Sequence, residues 1–174
     1  MRVGVLAVQG AFAEMSAYWR RKGADTFEIR QPADLGRGLD LLALPGGEST
    51  VQGKLVKALG LFGPLKELID GGLSVFATCA GLILLAEEIE NDEAVWFGSL
   101  PVTVRRNAYG RQLGSFTTVG AFDGAPDVPM TFIRAPAIVR TAPGVEVLST
   151  FGGRPTAVRW RNITACAWHP ELND

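Results

Sequence analysis

Histidine and cysteine, the side chains most used for catalysis near neutral pH and for metal binding, are scarce in this sequence. Its 174 residues include one histidine, His169, and two cysteines, Cys79 and Cys166. A reaction that needs a side chain titrating near neutral pH must therefore use His169 or a group with a perturbed pKa. Two cysteines without an export signal argue against a disulfide framework and leave zinc short of ligands, so we expect neither a metal nor a cofactor.

An excess of positive charge and a long hydrophobic run are also missing. Seventeen basic residues stand against eighteen acidic ones, for a formal net charge of −1, so the surface lacks the basic field that grips nucleic acid. The early apolar stretch at residues 3–8 ends at Gln9-Gly10 and is too short for a membrane span or a secretory signal. We expect a cytoplasmic protein that binds neither nucleic acid nor a membrane.

The hydrophobic content is high enough for a sizeable core. With 47% hydrophobic residues, residues 1–174 are expected to form one domain, without a second full one. Buried strands are predicted at residues 3–8, 27–30, 40–44 and 73–77, and helices at 12–22, 64–70 and 81–86. A further helix is predicted directly after Glu48, with Ser49 and Gln52 forming a capping box.

Helical periodicity is lost after about residue 95. Short β-type runs follow at residues 102–105, 116–119, 131–133, 145–151, 157–160 and 163–168, as expected for strands. The whole pattern predicts an α/β fold in one domain, with an open, mostly parallel sheet flanked by helices and an antiparallel extension in the second half.

Cys79 lies at the joint between a predicted strand and a predicted helix, among small residues. This setting is typical of a nucleophile elbow, where the chain turns sharply and exposes the reactive side chain. A thiol at a helix N-terminus is also favoured as thiolate, the form that attacks. The alternative is that Cys79 is a small buried hydrophobic residue, as we interpret Cys166 within its strand.

His169-Pro170-Glu171 follows the last predicted strand, at the edge where open α/β sheets bind ligands. Pro170 favours extended backbone at His169, and in extended chain residues two apart point to the same side. The Glu171 carboxylate is therefore expected to orient one imidazole nitrogen while the other faces a substrate. The alternative is a surface histidine beside a solvated glutamate.

Pro45-Gly46-Gly47 forms a third candidate feature, between a predicted strand and a capped helix. Its backbone amides, with that of Ala80, could donate to a developing oxyanion; the alternative is a simple turn. Arg105-Arg106 and Arg134 are candidates for pairing with a substrate carboxylate. Strand alternation puts Arg105 and Arg106 on opposite faces, so at most one of them enters a pocket.

With a nucleophile, an oriented base and oxyanion donors, the sequence resembles the glutaminase subunits of pyridoxal 5′-phosphate synthases, class I glutamine amidotransferases of the triad type. The matching segments run nearly end to end and lie at residues 4–11, 44–50, 78–86, 104–112, 132–136 and 169–171. Cysteine with His-Pro-Glu is shared by many amidotransferases, whereas Pro-Gly-Gly-Glu-Ser-Thr and Arg-Arg-Asn-Ala-Tyr-Gly-Arg-Gln are specific to this family. The resemblance implies a flavodoxin-like fold.

The resemblance also implies roles for particular residues. Cys79 would be the nucleophile, His169 the general base and acid, and Glu171 its orienter, with Gly47 and Ala80 forming the oxyanion hole. The residues implied to contact L-glutamine are Gly47, Glu48, Ser49, Arg106, Ile133 and Arg134. The partner it implies is a synthase subunit that builds pyridoxal 5′-phosphate from ribose 5-phosphate and glyceraldehyde 3-phosphate. We expect weak activity without that subunit, because its docking would set the oxyanion amides.

The sequence departs from the family pattern at three places. Ala77 replaces a glycine before the elbow, where we expect a slightly wider turn that still admits a methyl group. Met15 replaces a histidine, at a position expected to serve the partner contact. Relatives continue past the position of Asp174 into a closing helix, whose absence we expect to loosen the support of His169.

Two other functions remain open from the sequence. The first is the glutaminase of another triad amidotransferase, such as imidazole glycerol phosphate synthase, which shares the Cys-His-Glu set but lacks the Arg-Arg-Asn run. The second is a catalytically silent interaction module with the same fold. A glutamine-like electrophile would distinguish the silent module, because its Cys79 would react no faster than a free thiol.

Overall fold

Twelve strands and four α-helices form within residues 1–108 and 114–173, the part of the chain that the computed structural model describes. The strands are β1 (Arg2–Leu6), β2 (Asp25–Ile29), β3 (Leu41–Leu44), β4 (Ser74–Thr78), β5 (Ala86–Ile89), β6 (Leu100–Arg105), β7 (Ser115–Phe122), β8 (Ala125–Ile133), β9 (Ala137–Thr141), β10 (Glu146–Phe151), β11 (Arg154–Trp160) and β12 (Ile163–Cys166). The helices are α1 (Phe12–Arg21), α2 (Ser49–Ala58), α3 (Phe62–Asp70) and α4 (Ala80–Leu85), with 3₁₀ helices at Pro32–Arg37 and Pro170–Leu172. Part of the family-specific run, Tyr109-Gly110-Arg111-Gln112, lies outside the described residues.

The central sheet has seven strands in the order β10-β11-β12-β4-β3-β1-β2. Neighbouring strands from β12 to β2 are parallel, while β10, β11 and β12 pair antiparallel. The predicted mostly parallel sheet with an antiparallel extension is confirmed. Because β2 and β3 flank β1 on opposite sides, the winding reverses between β1 and β3, and the carboxyl ends of these strands open a crevice there.

Two smaller sheets, β5-β6-β9 and β7-β8, complete the second half of the chain. Strands β5 and β9 were not predicted. No glycine or proline separates β5 from α4. From the sequence alone, Ala86 at the start of β5 therefore looks like a continuation of the apolar helix. Strand β8 ends at Ile133, beside the site described below.

Apolar residues on both faces of the central sheet are buried, as expected for parallel strands covered by helices. A small cluster beneath α1 contains Val3, Val5, Met15, Ala24 and Ala43. Met15 is fully buried there, so its side chain faces the core of this chain. The expectation that it serves a partner contact is therefore wrong: α1 turns position 15 toward the sheet.

The start of α2 differs from the predicted capping box. The helix does begin directly after Glu48, but Glu48 itself is the N-cap, and its carboxylate accepts from the Val51 N–H at 2.8 Å. Extended backbone at Glu48 lets its side chain reach back over the first turn. Gln52 points inward instead and is fully buried. Within the described residues, no helix combines the length and apolarity needed to cross a bilayer.

Candidate active site

The carboxyl ends of four neighbouring strands open on one cavity of about 530 Å³. Gln9 follows β1, Gly46 and Gly47 follow β3, Cys79 follows β4, and His169 follows β12. The cavity wall is made by Gln9, Ala11, Glu14, Gly46, Gly47, Glu48, Ser49, Cys79, Ile83, Arg106, Asn107, Ile133, Arg134, His169 and Leu172. The parallel sheet thus brings together residues up to 160 positions apart.

Cys79 occupies a sharp turn between β4 and α4. Its backbone has φ +48° and ψ −101°, a conformation that costs a residue other than glycine about 1–3 kcal/mol and concentrates at functional sites. The Cys79 N–H donates to the Cys166 carbonyl at 2.8 Å. At Gly81, an added Cβ would lie 2.2 Å from the Leu44 carbonyl oxygen, so the absence of a side chain lets α4 pack closely on β3. The turn forms with Ala77 fully buried before it.

His169 and Glu171 form a buried pair next to this turn. Nδ1 of His169 lies 2.8 Å from Oε1 of Glu171, and the Thr78 hydroxyl donates to the same oxygen at 3.1 Å. The His169 N–H donates to the Thr131 carbonyl at 2.8 Å. The expected pairing forms, but the expected extended backbone does not: Pro170–Leu172 is a 3₁₀ helix, and this tight turn brings Glu171 back beneath the ring.

The imidazole lies between a thiol and a carboxylate. Burial by itself lowers the pKa of His169, but hydrogen bonds to Cys79 and Glu171 and their negative charges outweigh burial and raise this pKa from 6.5 to about 10. With Nδ1 held by Glu171, Nε2 is the nitrogen left for Cys79. The imidazolium is therefore favoured, so a proton that passes from the Cys79 thiol to His169 is held on the ring. The ring packs on Gly46, where an added Cβ would lie 2.1 Å from Cε1.

The loop Pro45-Gly46-Gly47 rests against the segment after β1. The Gly46 carbonyl accepts from the Ala11 N–H at 2.9 Å. In a trans peptide the carbonyl and the next N–H point in opposite directions, so the Gly47 N–H points away from Ala11. Gly47 lines the cavity with Cys79, and Ala80 is the first residue of α4. Of the two amides expected to form an oxyanion hole, that of Ala80 directly follows Cys79 in the chain, and that of Gly47 belongs to another part of the cavity wall.

All six residues implied to contact glutamine lie along the cavity wall. Arg106 donates from Nη1 to Asp92 at 2.7 Å, whereas its Nε and Nη2 are buried and have no hydrogen-bond partner within residues 1–108 and 114–173. Arg105 points outward and pairs with Glu90. The expected division of the two arginines between opposite faces is therefore seen. The free guanidinium edge is suited to a carboxylate, since unpaired buried donors are costly.

Sequence reasoning missed Gln9 and Thr78. The Gln9 side chain accepts from the Glu48 N–H at 2.9 Å, and Thr78 supports Glu171. Gln9 directly follows a predicted buried strand, as Cys79 and His169 do. This shared position could have identified Gln9 as a candidate site residue.

The model of the SNO glutamine amidotransferase family matches residues 5–174. The chain belongs to this family. It is 54% identical over 173 residues to the pyridoxal 5′-phosphate synthase subunit PdxT of Desulfitobacterium hafniense strain Y51, covering 99% of this chain and 87% of that protein. It is 50% identical over 174 residues to the PdxT of Methanocorpusculum labreanum, covering 100% and 92%.

Solved structures agree with the family assignment. A crystal structure described as a glutamine amidotransferase superposes with a TM-score of 0.93 at 41% identity, covering 98% of this chain and 91% of that one. PurLQS from Thermotoga maritima superposes with a TM-score of 0.72 at 13% identity, covering 98% and 87%. The second likeness concerns the fold alone.

Proposed function

We propose that this chain is a single glutaminase domain, residues 1–174, that supplies ammonia to a pyridoxal 5′-phosphate synthase. It hydrolyses L-glutamine to L-glutamate and ammonia. The observation that carries the proposal is the buried line of Cys79, His169 and Glu171 beside a cavity that Arg106 also lines. The names of the PdxT relatives, at 54% and 50% identity, support the choice of pathway.

The reaction begins when His169 takes the Cys79 proton and the thiolate attacks the side-chain amide carbon of glutamine. The carbonyl oxygen becomes negative and accepts from the N–H groups of Gly47 and Ala80, each contributing about 3–4 kcal/mol in comparable sites. His169 then protonates the leaving nitrogen, and ammonia departs. Water deprotonated by His169 attacks the resulting glutamyl thioester, which releases glutamate and returns the proton to Cys79. Glu171 stabilises the imidazolium in both halves of the reaction.

Arg106 is proposed to bind the α-carboxylate of glutamine through its guanidinium group, because it lines the cavity beside Cys79. We expect Arg106→Leu to raise KM for glutamine roughly 10- to 100-fold, the range of a lost charge-assisted hydrogen bond. Because this contact is made equally in the ground state and the transition state, kcat is expected to change little. Arg105→Leu is the matched control, since Arg105 pairs with Glu90 outside the cavity. Equal KM values for the two variants would remove Arg106 from the binding site.

The proposed partner is the synthase subunit that consumes the ammonia. Free ammonia is protonated and lost by diffusion in water, so its transfer requires a dry path at the contact between the subunits. We expect glutamate production to rise when the synthase subunit is added, because docking completes the oxyanion amides. The measurement is the rate of glutamate release with and without that subunit, and with the synthase of another triad amidotransferase as control. Equal rates under all three conditions would contradict the coupling.

A further inference from the structure

Gln52 joins the two loops that follow β1 and β3. It projects from α2, its side chain is fully buried, and it is absent from the cavity wall. Nε2 donates to the Gln9 carbonyl at 3.0 Å and to the Pro45 carbonyl at 3.2 Å. One amide group therefore fixes the main chain of both loops at the point where the winding of the sheet reverses.

The loop after β3 is held at two further points. The Gly46 carbonyl accepts from the Ala11 N–H at 2.9 Å, and the Glu48 N–H donates to Oε1 of Gln9 at 2.9 Å. A Cβ added at Gly47 would lie 2.5 Å from that Gln9 oxygen and 2.8 Å from Nε2 of Gln52. Gln52 thus packs directly against the glycine whose N–H is expected to face the oxyanion.

We propose that Gln52 is a positioning residue for glutamine hydrolysis, which anchors the loop through the Pro45 carbonyl and packs against Gly47, so that the Gly47 N–H keeps its orientation. The inference rests on the proposed function, because it takes Gly47 as an oxyanion donor. The oxyanion exists only during the reaction, so its donor must be oriented beforehand to be effective. Losing the Gln52 amide removes the anchor of the Pro45 carbonyl and the side chain packed against Gly47, so the Gly47 N–H is held less firmly toward the developing charge.

The first test replaces Gln52 by methionine, which keeps the length of the side chain and removes its donors. In the complex with the synthase subunit, we expect Gln52→Met to lower kcat roughly 10- to 100-fold, part of the cost of losing an oxyanion donor. KM for glutamine is expected to stay within about two-fold, because the lost contact belongs to the transition state. A kcat equal to that of the unchanged protein would overturn the proposal.

Asn162 provides a matched control for the loss of buried hydrogen bonds. Its Nδ2 likewise donates to two main-chain carbonyls, those of Ile69 at 2.9 Å and Leu73 at 2.6 Å. Asn162 directly precedes β12, so these bonds lie at the amino end of that strand, away from the cavity at its carboxyl end. We expect Asn162→Leu to lower Tm as Gln52→Met does while leaving kcat unchanged. If Asn162→Leu lowered kcat as much as Gln52→Met, the effect on activity would reflect stability alone and the proposal would fail.

Two thiol reagents separate the oxyanion from the nucleophile. Iodoacetamide alkylates Cys79 by displacement at carbon without forming an oxyanion, whereas a chloroketone analogue of glutamine has a carbonyl oxygen that becomes negative on attack. We expect Gln52→Met to slow labelling by the chloroketone about ten-fold or more and to change iodoacetamide labelling by less than about two-fold. Equal slowing with both reagents would mean that Gln52 supports Cys79 itself, against the proposal.

The variant Gln52→Glu keeps one hydrogen-bond donor at low pH. The carboxyl of Gln52→Glu, buried between two carbonyls, is expected to stay protonated at low pH and to donate one hydrogen bond. Its kcat relative to that of the unchanged protein should therefore fall as pH rises, whereas the ratio for Gln52→Met stays flat. Flat ratios for both variants would overturn the proposal. Absence of Cys79-dependent hydrolysis in the unchanged protein would instead refute the proposed function.

Discussion

Cys79→Ala is expected to lower glutamate release from glutamine by roughly 10⁴- to 10⁶-fold, the loss seen when a catalytic nucleophile is removed. No other described side chain can replace the thiol, since His169 and Glu171 serve as base and orienter. The measurement is glutamate formed in the presence of the synthase subunit. Binding of glutamine should persist, because the free edge of Arg106 does not depend on the sulfur.

Cys166→Ala is the matched control for this variant. Cys166 is also buried next to the site, but its thiol contacts the Ala77 and Trp168 carbonyls, and burial raises its pKa well above the usual value. It is therefore held as an unreactive thiol in the core. We expect its replacement by alanine to cost some stability and to leave kcat within a few-fold. Substantial turnover by Cys79→Ala, or its absence in Cys166→Ala, would contradict the assignment of the nucleophile.

Glu171→Gln is expected to lower kcat by about 10²- to 10⁴-fold, as in other sites where the carboxylate behind a catalytic histidine is made neutral. The amide can still hold the ring, but it removes the charge that stabilises the imidazolium. Glu67→Gln, a change at an exposed position on α3, is the control and should leave kcat unchanged. A kcat within a few-fold of that of the unchanged protein would remove Glu171 from the mechanism.

The free energy of unfolding of Glu171→Gln also tests whether His169 is charged in the folded protein. The folded-state pKa of His169, about 10, lies above its ordinary value of 6.5. Its pairing therefore contributes stability that is fully present below pH 6.5 and is lost as pH rises through 10. We expect the free energy of unfolding of the native protein, relative to Glu171→Gln, to be greatest near pH 6 and to decrease toward pH 10. Denaturant titrations across this range measure it, and a pH-independent difference would contradict the charged state.

Much of the fold follows from short apolar runs in the sequence. The strands β1, β3 and β4 lie within two residues of their predicted positions, because each is buried on both faces and ends at a glycine-rich turn or at the elbow. The same property located Cys79 and His169, since each follows a buried strand. Strand β5 was missed because nothing local separates it from α4.

The finer parts of the site depend on contacts that sequence spacing does not contain. Ser49 and Gln52 match a capping box locally, yet Gln52 is buried because the loop after β1 provides carbonyls for its amide. Similarly, alternation separates Arg105 from Arg106 but does not decide which of the two faces the cavity. That choice is made by the contact of the Arg106 guanidinium with Asp92.

The pairing of β12 with β4 sets when the enzyme becomes competent during its own synthesis. Cys166 lies opposite Thr78 in this register, so the imidazole reaches the sulfur only after the last strand of the central sheet has docked. A nascent chain emerging from the ribosome therefore carries its nucleophile long before its base. Hydrolysis of glutamine therefore cannot start until β12 has paired with β4.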